Sequence, residues 1–305
     1  MHVTLIHNPG AGDEQHSGDA LLQVLHEAGH EALYQSSKAD GWEGALEDPG
    51  DMVAVAGGDG TVGKVAKQLL GRHVPIAILP LGTANNISKS LGLTDIPLPQ
   101  LVDGWATARR VKFDVGVADF STESSYFIEG LGTGLFAGTM SRLDDEDNIE
   151  LAHAGDAEEK ITSVLRLLRE RLRSYPAKDL KVTLDGEDLS GEYVLVEALN
   201  IKYVGPNLHL APEADPGDGL LDVVLLRGDE RDEMSRYLDE RLAGGLRPPR
   251  LAVRRVKHLQ IEWSGFAIHV DDEIWPDDSG VPDAPTIIDV KVDHHAIEFL
   301  IPARR

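Results

Sequence analysis

The sequence predicts an α/β-plus-β protein, with an N-terminal α/β domain built on a parallel sheet and a C-terminal antiparallel β-sandwich. Three observations carry that expectation. At 305 residues the chain is too long for one ordinary hydrophobic core. Its first third alternates strand and helix signals, the pattern of parallel strands joined by helical crossovers. From Val111 onward the pattern changes to many short period-two runs separated by turn residues, which read as an antiparallel sandwich or barrel.

In chain order, HVTLIHNP (2–9) is the first strand, and ALLQVLHEAG (20–29) has helical apolar spacing that Gly29 stops. HEALYQSS (30–37) and DMVAVAG (51–57) follow as strands, GKVAKQLLG (63–71) as a helix closed by Gly71, PIAILPLG (75–82) as a fourth strand and NISKSLG (86–92) as a short helix. The later strands are VKFDVGVADF (111–120), SYFIEGLG (125–132), DLKVTLDG (179–186), EYVLVEALNIKYV (192–204), LLDVVLL (220–226), HLQIEWSG (258–265), FAIHVDDEI (266–274) and AIEFLIP (296–302). One helix interrupts them at 158–176. There Ile161, Val164, Leu165, Leu168 and Leu172 share one face, Arg166, Arg169 and Arg173 another, and Pro176 ends it. These signals put the domains at 1–110 and 111–305, with the last strand a candidate to return to the first domain.

Composition narrows the function classes. A net charge of -23 argues against a nucleic-acid partner and against bulk attraction to anionic membrane. No apolar run reaches the length of a membrane-spanning helix, and with no cysteine there is neither disulfide nor thiolate chemistry. MHVTLIHNPGAG reads as a strand and not as a signal peptide, so a cytoplasmic location is expected. The acidic run LDDEDNIE (143–150) reads as solvated surface. The basic concentrations, the arginine face and LRPPRLAVRRVKH (246–258), read first as solvated and second as contacts for anionic headgroups. His294 and His295 are expected on opposite faces of a strand, which disfavours a metal pair.

The segment VAVAGGDGTVGKVAKQL (53–69) admits three readings. As a dinucleotide-binding turn it lacks an acid at the end of the next strand, and as a Walker-type loop it has Val65 where a hydroxyl must ligate magnesium. The third reading pairs GGDGT (57–61) with a second strand-to-helix turn, LPLGTANN (79–86). On adjacent parallel strands both loops end at the carboxyl edge of the sheet, where ligands of open α/β folds bind. Their glycines, the hydroxyls of Thr61 and Thr83, and a helix N-terminus near Val62 then suit one phosphate chain.

Asn8-Pro9, GGDGT (57–61) and PLGTANN (80–86) resemble the diacylglycerol kinase catalytic-domain family, whose relatives include sphingosine and ceramide kinases and, more distantly, NAD kinases. Asn200, LAPEADPGDGLLDVVLL (210–226) and VDDEIW (270–275) extend the resemblance through the second half in the family's order. It implies an NAD kinase/lipid kinase-like fold with the active site in the interdomain cleft. The implied activity is transfer of the γ-phosphoryl group of ATP to the hydroxyl of a diacylglycerol-like lipid, with Mg2+ as cofactor. The lipid alcohol is then the substrate, membrane contact is peripheral and transient, and a homodimer stays open. NAD kinase and a catalytically impaired nucleotide or lipid sensor are the alternatives.

By the same resemblance, Asn8, Ser36, Gly57, Gly58, Asp59, Gly60, Thr61, Gly82, Thr83 and Asn85 hold the nucleotide. Asp59 serves magnesium or accepts the alcohol's proton, Glu273 matches the late glutamate used as base, and Asp114 matches an acid of that network. Asp215 and Asp218 with the carbonyl of Leu220 form an oxygen set for a structural magnesium. The chain departs from the family at three places: Gly63-Lys64 replaces Asn-Glu, Asn86 replaces an aspartate, and Asp272 replaces the glycine of the late D-G-E. Lys64 near a helix N-terminus opposes the macrodipole unless a phosphate lies between them.

Overall fold

A computed structural model describes residues 1–11, 16–120, 123–143, 155–276 and 285–303. Most of the acidic run at 143–150 therefore lies outside the described residues. The chain divides into two compact units, Met1–Asp114 with His295–Arg305, and Val115–His294.

The first unit carries β1 (His2–His7), α1 (Gly18–Glu27), β2 (Glu31–Ser36), β3 (Met52–Gly57), α2 (Asp59–Gln68), β4 (Ile76–Pro80), α3 (Asn86–Ser90) and α4 (Leu98–Gly104). Strands β1 and β2, β1 and β3, and β3 and β4 all pair in parallel. On the far side of β4 the end of the final strand adds one parallel pair, Phe299 with Ile76. Every residue of β3 is buried, which is why MVAVAG reads as a continuous apolar run. Ser17 caps α1 by accepting from the Ala20 N–H, and Leu21 and Leu25, four apart, bury its inner face.

Helix α2 begins at Asp59, four residues before the helical spacing becomes visible in the sequence. Gly58, extended, is its N-cap, so Asp59, Gly60 and Thr61 form the first turn and not a loop. Lys64 is then the sixth residue of the helix and lies on its exposed face. The macrodipole acts mainly within the first turn, so Lys64 gives no argument for a phosphate. Helix α4 carries no strong periodicity. Pro97 precedes it, and it buries only Leu101 and Val102.

The second unit contains the end of β5 (Arg109–Asp119), then β6 (Ser124–Phe127), β7 (Gly130–Gly134), α5 (Leu135–Leu143), α6 (Ala157–Ser174), β8 (Lys178–Leu184), β9 (Glu187–Asp188) and β10 (Gly191–Leu199). Next come β11 (Tyr203–Val204), β12 (Leu208–His209), β13 (Leu221–Arg227), α7 (Arg231–Leu242), β14 (Val253–Val256), β15 (His258–Trp263), β16 (Ile268–Val270), β17 (Glu273–Trp275) and β18 (Thr286–Ile301). The chain passes between the units inside β5 and inside β18.

Antiparallel pairing dominates the second unit. Strand β10 pairs with β7, β8 and β13, while β15 pairs with β8 and with the first part of β18. Val196 and Ala198 of β10 join a core with Leu131, Ile268 and Val270, whereas Leu195 and Leu199 pack with Leu165, Leu168 and Leu172 of α6 and Met234 and Leu238 of α7. Both faces of β10 are thus covered, by sheet on one side and helices on the other. The arginine face of α6 is partly paired, since Arg169 makes two bonds to Asp239 on α7. Helix α7 escapes the sequence pattern because Met234, Tyr237 and Leu238 are its only buried residues among charged neighbours. No helix of the described residues is long and apolar enough to cross a membrane.

In the first unit, Phe299 packs edge-on against Phe113 at 4.9 Å between ring centroids, and both are fully buried. Phe299→Ala should lower the stability of the first unit by about 3–5 kcal/mol through the cavity it leaves. Thermal melting with hydrogen exchange at β3 and β4 would register the loss.

Candidate active site

The order of strands in the first unit places β1 between β2 and β3, so the chain reverses direction across the sheet at β1 and β3. In open parallel sheets this switch point, at the carboxyl ends of the strands, is where a crevice opens. Asn8 follows β1 there, and its backbone N–H bonds Ala56 O at 2.9 Å. Its side-chain amide donates to Thr61 Oγ1 at 3.2 Å, while its Oδ1 accepts from the Gly10 N–H.

The two glycine-bearing turns touch through their backbones. A Cβ on Gly82 would lie 2.2 Å from Gly58 Cα, and one on Gly58 would lie 3.0 Å from Gly82 Cα. Both glycines are therefore required by each other before any ligand is considered. Gly57 is similarly confined by Thr61, whose Cβ would be 2.8 Å away. Asn85 closes the second turn on itself: its Oδ1 accepts from the Gly82 N–H at 2.9 Å, its amide donates to Gly82 O at 2.6 Å, and its φ is 53°.

Asp59 ties the turns together. Its Oδ2 accepts from the Asn86 N–H and its Oδ1 from the Ile87 N–H, both at 2.9 Å. These are first-turn donors of α3, which has no side-chain cap of its own. The carboxylate thus stabilises α3 by charge as well as by hydrogen bonds, each such bond contributing on the order of 1.5–3 kcal/mol. No side chain caps the N-terminus of α2, which starts at the carboxyl end of β3. Gly60 and Thr83 sit half-buried in these turns. Ser36 ends β2 on the same edge, level with His7, and its Oγ accepts from the Lys38 N–H. The structure therefore gathers Asn8, Gly57, Gly58, Asp59, Gly60, Thr61, Gly82, Thr83 and Asn85 around the ends of β1, β3 and β4.

Asp114 also belongs to the first unit. It is fully buried, and its Oδ1 accepts the His295 N–H at 2.7 Å. His295 has a φ of 60°, so the regular alternation expected to separate His294 from His295 does not hold at that residue.

The remaining candidates lie in the second unit. Glu273 is exposed and opens β17, directly after the turn from β16, instead of ending a strand. In that turn the left-handed backbone falls on Asp271, with φ 53°, and not on Asp272, so the absent glycine of the D-G-E pattern is not needed. The Asp271 carboxylate accepts from the N–H groups of Ile128, Glu129 and Gly130. This grip explains why SYFIEGLG splits into β6 and β7. Buried His269 and Glu197 meet nearby at 2.7 Å. None of the three was expected as functional, although a glutamate inside the apolar run YVLVEAL was a visible signal.

In the loop before β13, Asp215 Oδ1 accepts from the Gly217 N–H, and Asp218 Oδ1 from the Leu220 N–H. Arg255 pairs with the other oxygen of Asp218. Close by, Asp222 is buried, its Oδ1 lacks a hydrogen-bond partner, and burial together with the charge of Glu213 pushes its carboxyl up to about 6. An orphaned carboxylate oxygen beside acidic neighbours suits a hard cation, with the Arg255 guanidinium supplying part of the balancing charge.

Comparison with known proteins agrees with this layout. Residues 2–118 match the diacylglycerol kinase catalytic domain, and residues 150–290 match the YegS C-terminal NAD kinase beta sandwich-like domain. A diacylglycerol kinase of Mycobacterium tuberculosis is 27% identical over 266 residues, covering 85% of this chain and 80% of its own. A YegS-like lipid kinase of Pseudomonas aeruginosa is 29% identical over 280 residues, covering 89% and 87%. Among solved structures, a diacylglycerol kinase of Bacillus anthracis superposes with a TM-score of 0.73 at 22% identity over 99% of this chain and 97% of its own. Yeast NADH kinase does so at 0.54 and 10% identity, over 100% and 84%. At those identities the two structures speak to fold alone. In order along the chain, its two parts are thus similar to the diacylglycerol kinase catalytic domain and to the YegS C-terminal NAD kinase beta sandwich-like domain.

Proposed function

We propose that the protein is an ATP-dependent lipid kinase that transfers the γ-phosphoryl group to the hydroxyl of a diacylglycerol-like lipid. The observation that carries this reading is the pair of turns locked together by Gly58, Gly82 and Asp59 beside the uncapped N-terminus of α2. Such a site presents backbone N–H donors and a helix dipole to a polyphosphate. The names of the relatives favour a lipid acceptor over NAD, which otherwise fits the same core.

In this reading Gly60, Thr61 and Thr83 donate to phosphate oxygens, and Asn8 fixes the Thr61 hydroxyl. Ser36 contacts the nucleotide. Both oxygens of Asp59 already accept backbone N–H bonds, which suits holding a cation through their remaining lone pairs better than taking a proton. Magnesium, when bound, neutralises charge on the transferred group. Glu273 is the base: as the lipid oxygen bonds to the γ-phosphorus and the bond to the β–γ bridging oxygen breaks, the hydroxyl proton passes to its carboxylate. Asp114, holding the His295 N–H, supports the acid network. Asp215 and Asp218, with the Leu220 carbonyl, hold a second magnesium that stiffens the loop before β13. Membrane contact is peripheral, made during turnover.

Transfer of radiolabelled phosphate from ATP to a lipid panel that includes diacylglycerol is the direct test. Label in no lipid, or NADP formed in a coupled assay, would remove this reading. Glu273→Gln should lower kcat by about 10²–10⁴-fold with ATP binding retained, as measured by turnover and calorimetry. Asp59→Asn keeps the shape but loses one acceptor for α3, and should reduce kcat at least about tenfold while weakening ATP binding. Magnesium at about 100-fold over its Kd should stabilise the second unit by about 2.7 kcal/mol in thermal melts. EDTA should reverse this gain, and Asp218→Ala should abolish it.

A further inference from the structure

Strand β7 lies between β10 and β16, and in register Gly132 stands beside Glu197 on one side and His269 on the other. With no side chain at residue 132, the Glu197 carboxyl and the His269 imidazole meet directly across it, Oε2 to Nε2 at 2.7 Å. A Cβ on Gly132 would lie 2.2 Å from Glu197 Cδ. The pair shares the face of Leu195 and Leu199, opposite Ile268 and Val270, and its side chains are 0% and 2% exposed.

The other imidazole nitrogen, Nδ1, is 3.2 Å from the backbone oxygen of Asp271. A carbonyl can only accept, so Nδ1 carries a proton, and Nε2 shares one further proton with Glu197 Oε2. Burial pushes the Glu197 carboxyl up, and its Oε1 has no hydrogen-bond partner among the described residues. Burial favours the neutral pair with the shared proton on the glutamate, and the Glu197 charge favours a protonated imidazole; in either state one proton joins Nε2 to Oε2.

Asp271 is thereby held from three directions. His269 takes its carbonyl, Gly130 O takes its N–H at 2.9 Å, and its carboxylate takes the amides at 128–130. It is the first residue of the turn that leads into Glu273. Replacing a buried pair of this kind by apolar side chains is often neutral or stabilising, so stability alone does not account for it in a strand that is otherwise apolar.

We propose that Glu197 and His269 are positioning residues which hold the Asp271 carbonyl, fix the β16–β17 turn and so set the place of Glu273. The inference rests on Glu273 being the base. Side-chain geometry separates the two imidazole bonds, because an asparagine amide nitrogen replaces Nδ1 and a glutamine amide nitrogen replaces Nε2.

The experiment compares His269→Asn, His269→Gln, Glu197→Gln and Glu197→Leu in the full chain by kinetics and amide hydrogen exchange, with Glu273→Gln alongside. His269→Gln and Glu197→Leu should lower kcat about 10- to 100-fold at unchanged KM for ATP. Exchange at the amides of residues 128–130 should accelerate in both. His269→Asn keeps the bond to Asp271, and Glu197→Gln keeps a donor to Nε2, so both should stay near the parent in both readouts. If His269→Gln does not fold, Glu197→Leu decides. Unchanged kcat in the disruptive variants, or reduced kcat with unchanged exchange at 128–130, would overturn the proposal. Full activity of Glu273→Gln would instead overturn the assignment of the base, and the exchange data would still decide whether the pair holds the turn.

Discussion

The contact on which the first unit's site depends is that between the two glycine turns, closed by one carboxylate. Gly58 and Gly82 approach so closely that neither tolerates a Cβ, and Asp59 spans from the first turn of α2 to the first two N–H groups of α3. A negative group at the start of both helices lowers the energy of each, and the same bonds set the separation of the turns. The two turns are therefore held in place by bonds within the protein itself.

Burial of β10 on both faces plays the corresponding part in the second unit. Because sheet packs on one side and α6 and α7 on the other, any polar side chain there must find its partner within the fold. Glu197 finds it across Gly132, in His269, and the connection continues through the backbone of Asp271. A demand of the core is thus met by atoms that also shape the turn before Glu273. The loop of Asp215 and Asp218 follows a different logic: it is a surface turn whose acids are balanced by Arg255 and whose buried neighbour Asp222 lacks a partner for Oδ1.

Much of this was legible in the residues. GGDGT and PLGTANN located the two turns, and the switch from strand–helix alternation to period-two runs located the change of architecture. Less legible were the points where tertiary contacts override local preference. The sequence puts the start of this helix near Val62, yet the N-cap geometry of Gly58 and the packing of Thr61 and Val62 start α2 at Asp59. Lys64 drew notice through its proximity in sequence and then proved to lie on the solvent face of α2. The turn at Asp271 takes its left-handed backbone one residue before the place where a glycine is usual, which sequence spacing alone does not reveal.

By itself the sequence determined the alternation of elements, the buried character of β3 and β10, and the glycines that only a close approach explains, because periodicity and side-chain size act locally. Which atoms those elements bring together was decided by the tertiary structure. That Asp59 serves α3 and that Glu197 reaches His269 over Gly132 both depend on strand register, and register is set by the packing of the whole sheet rather than by neighbours in the chain.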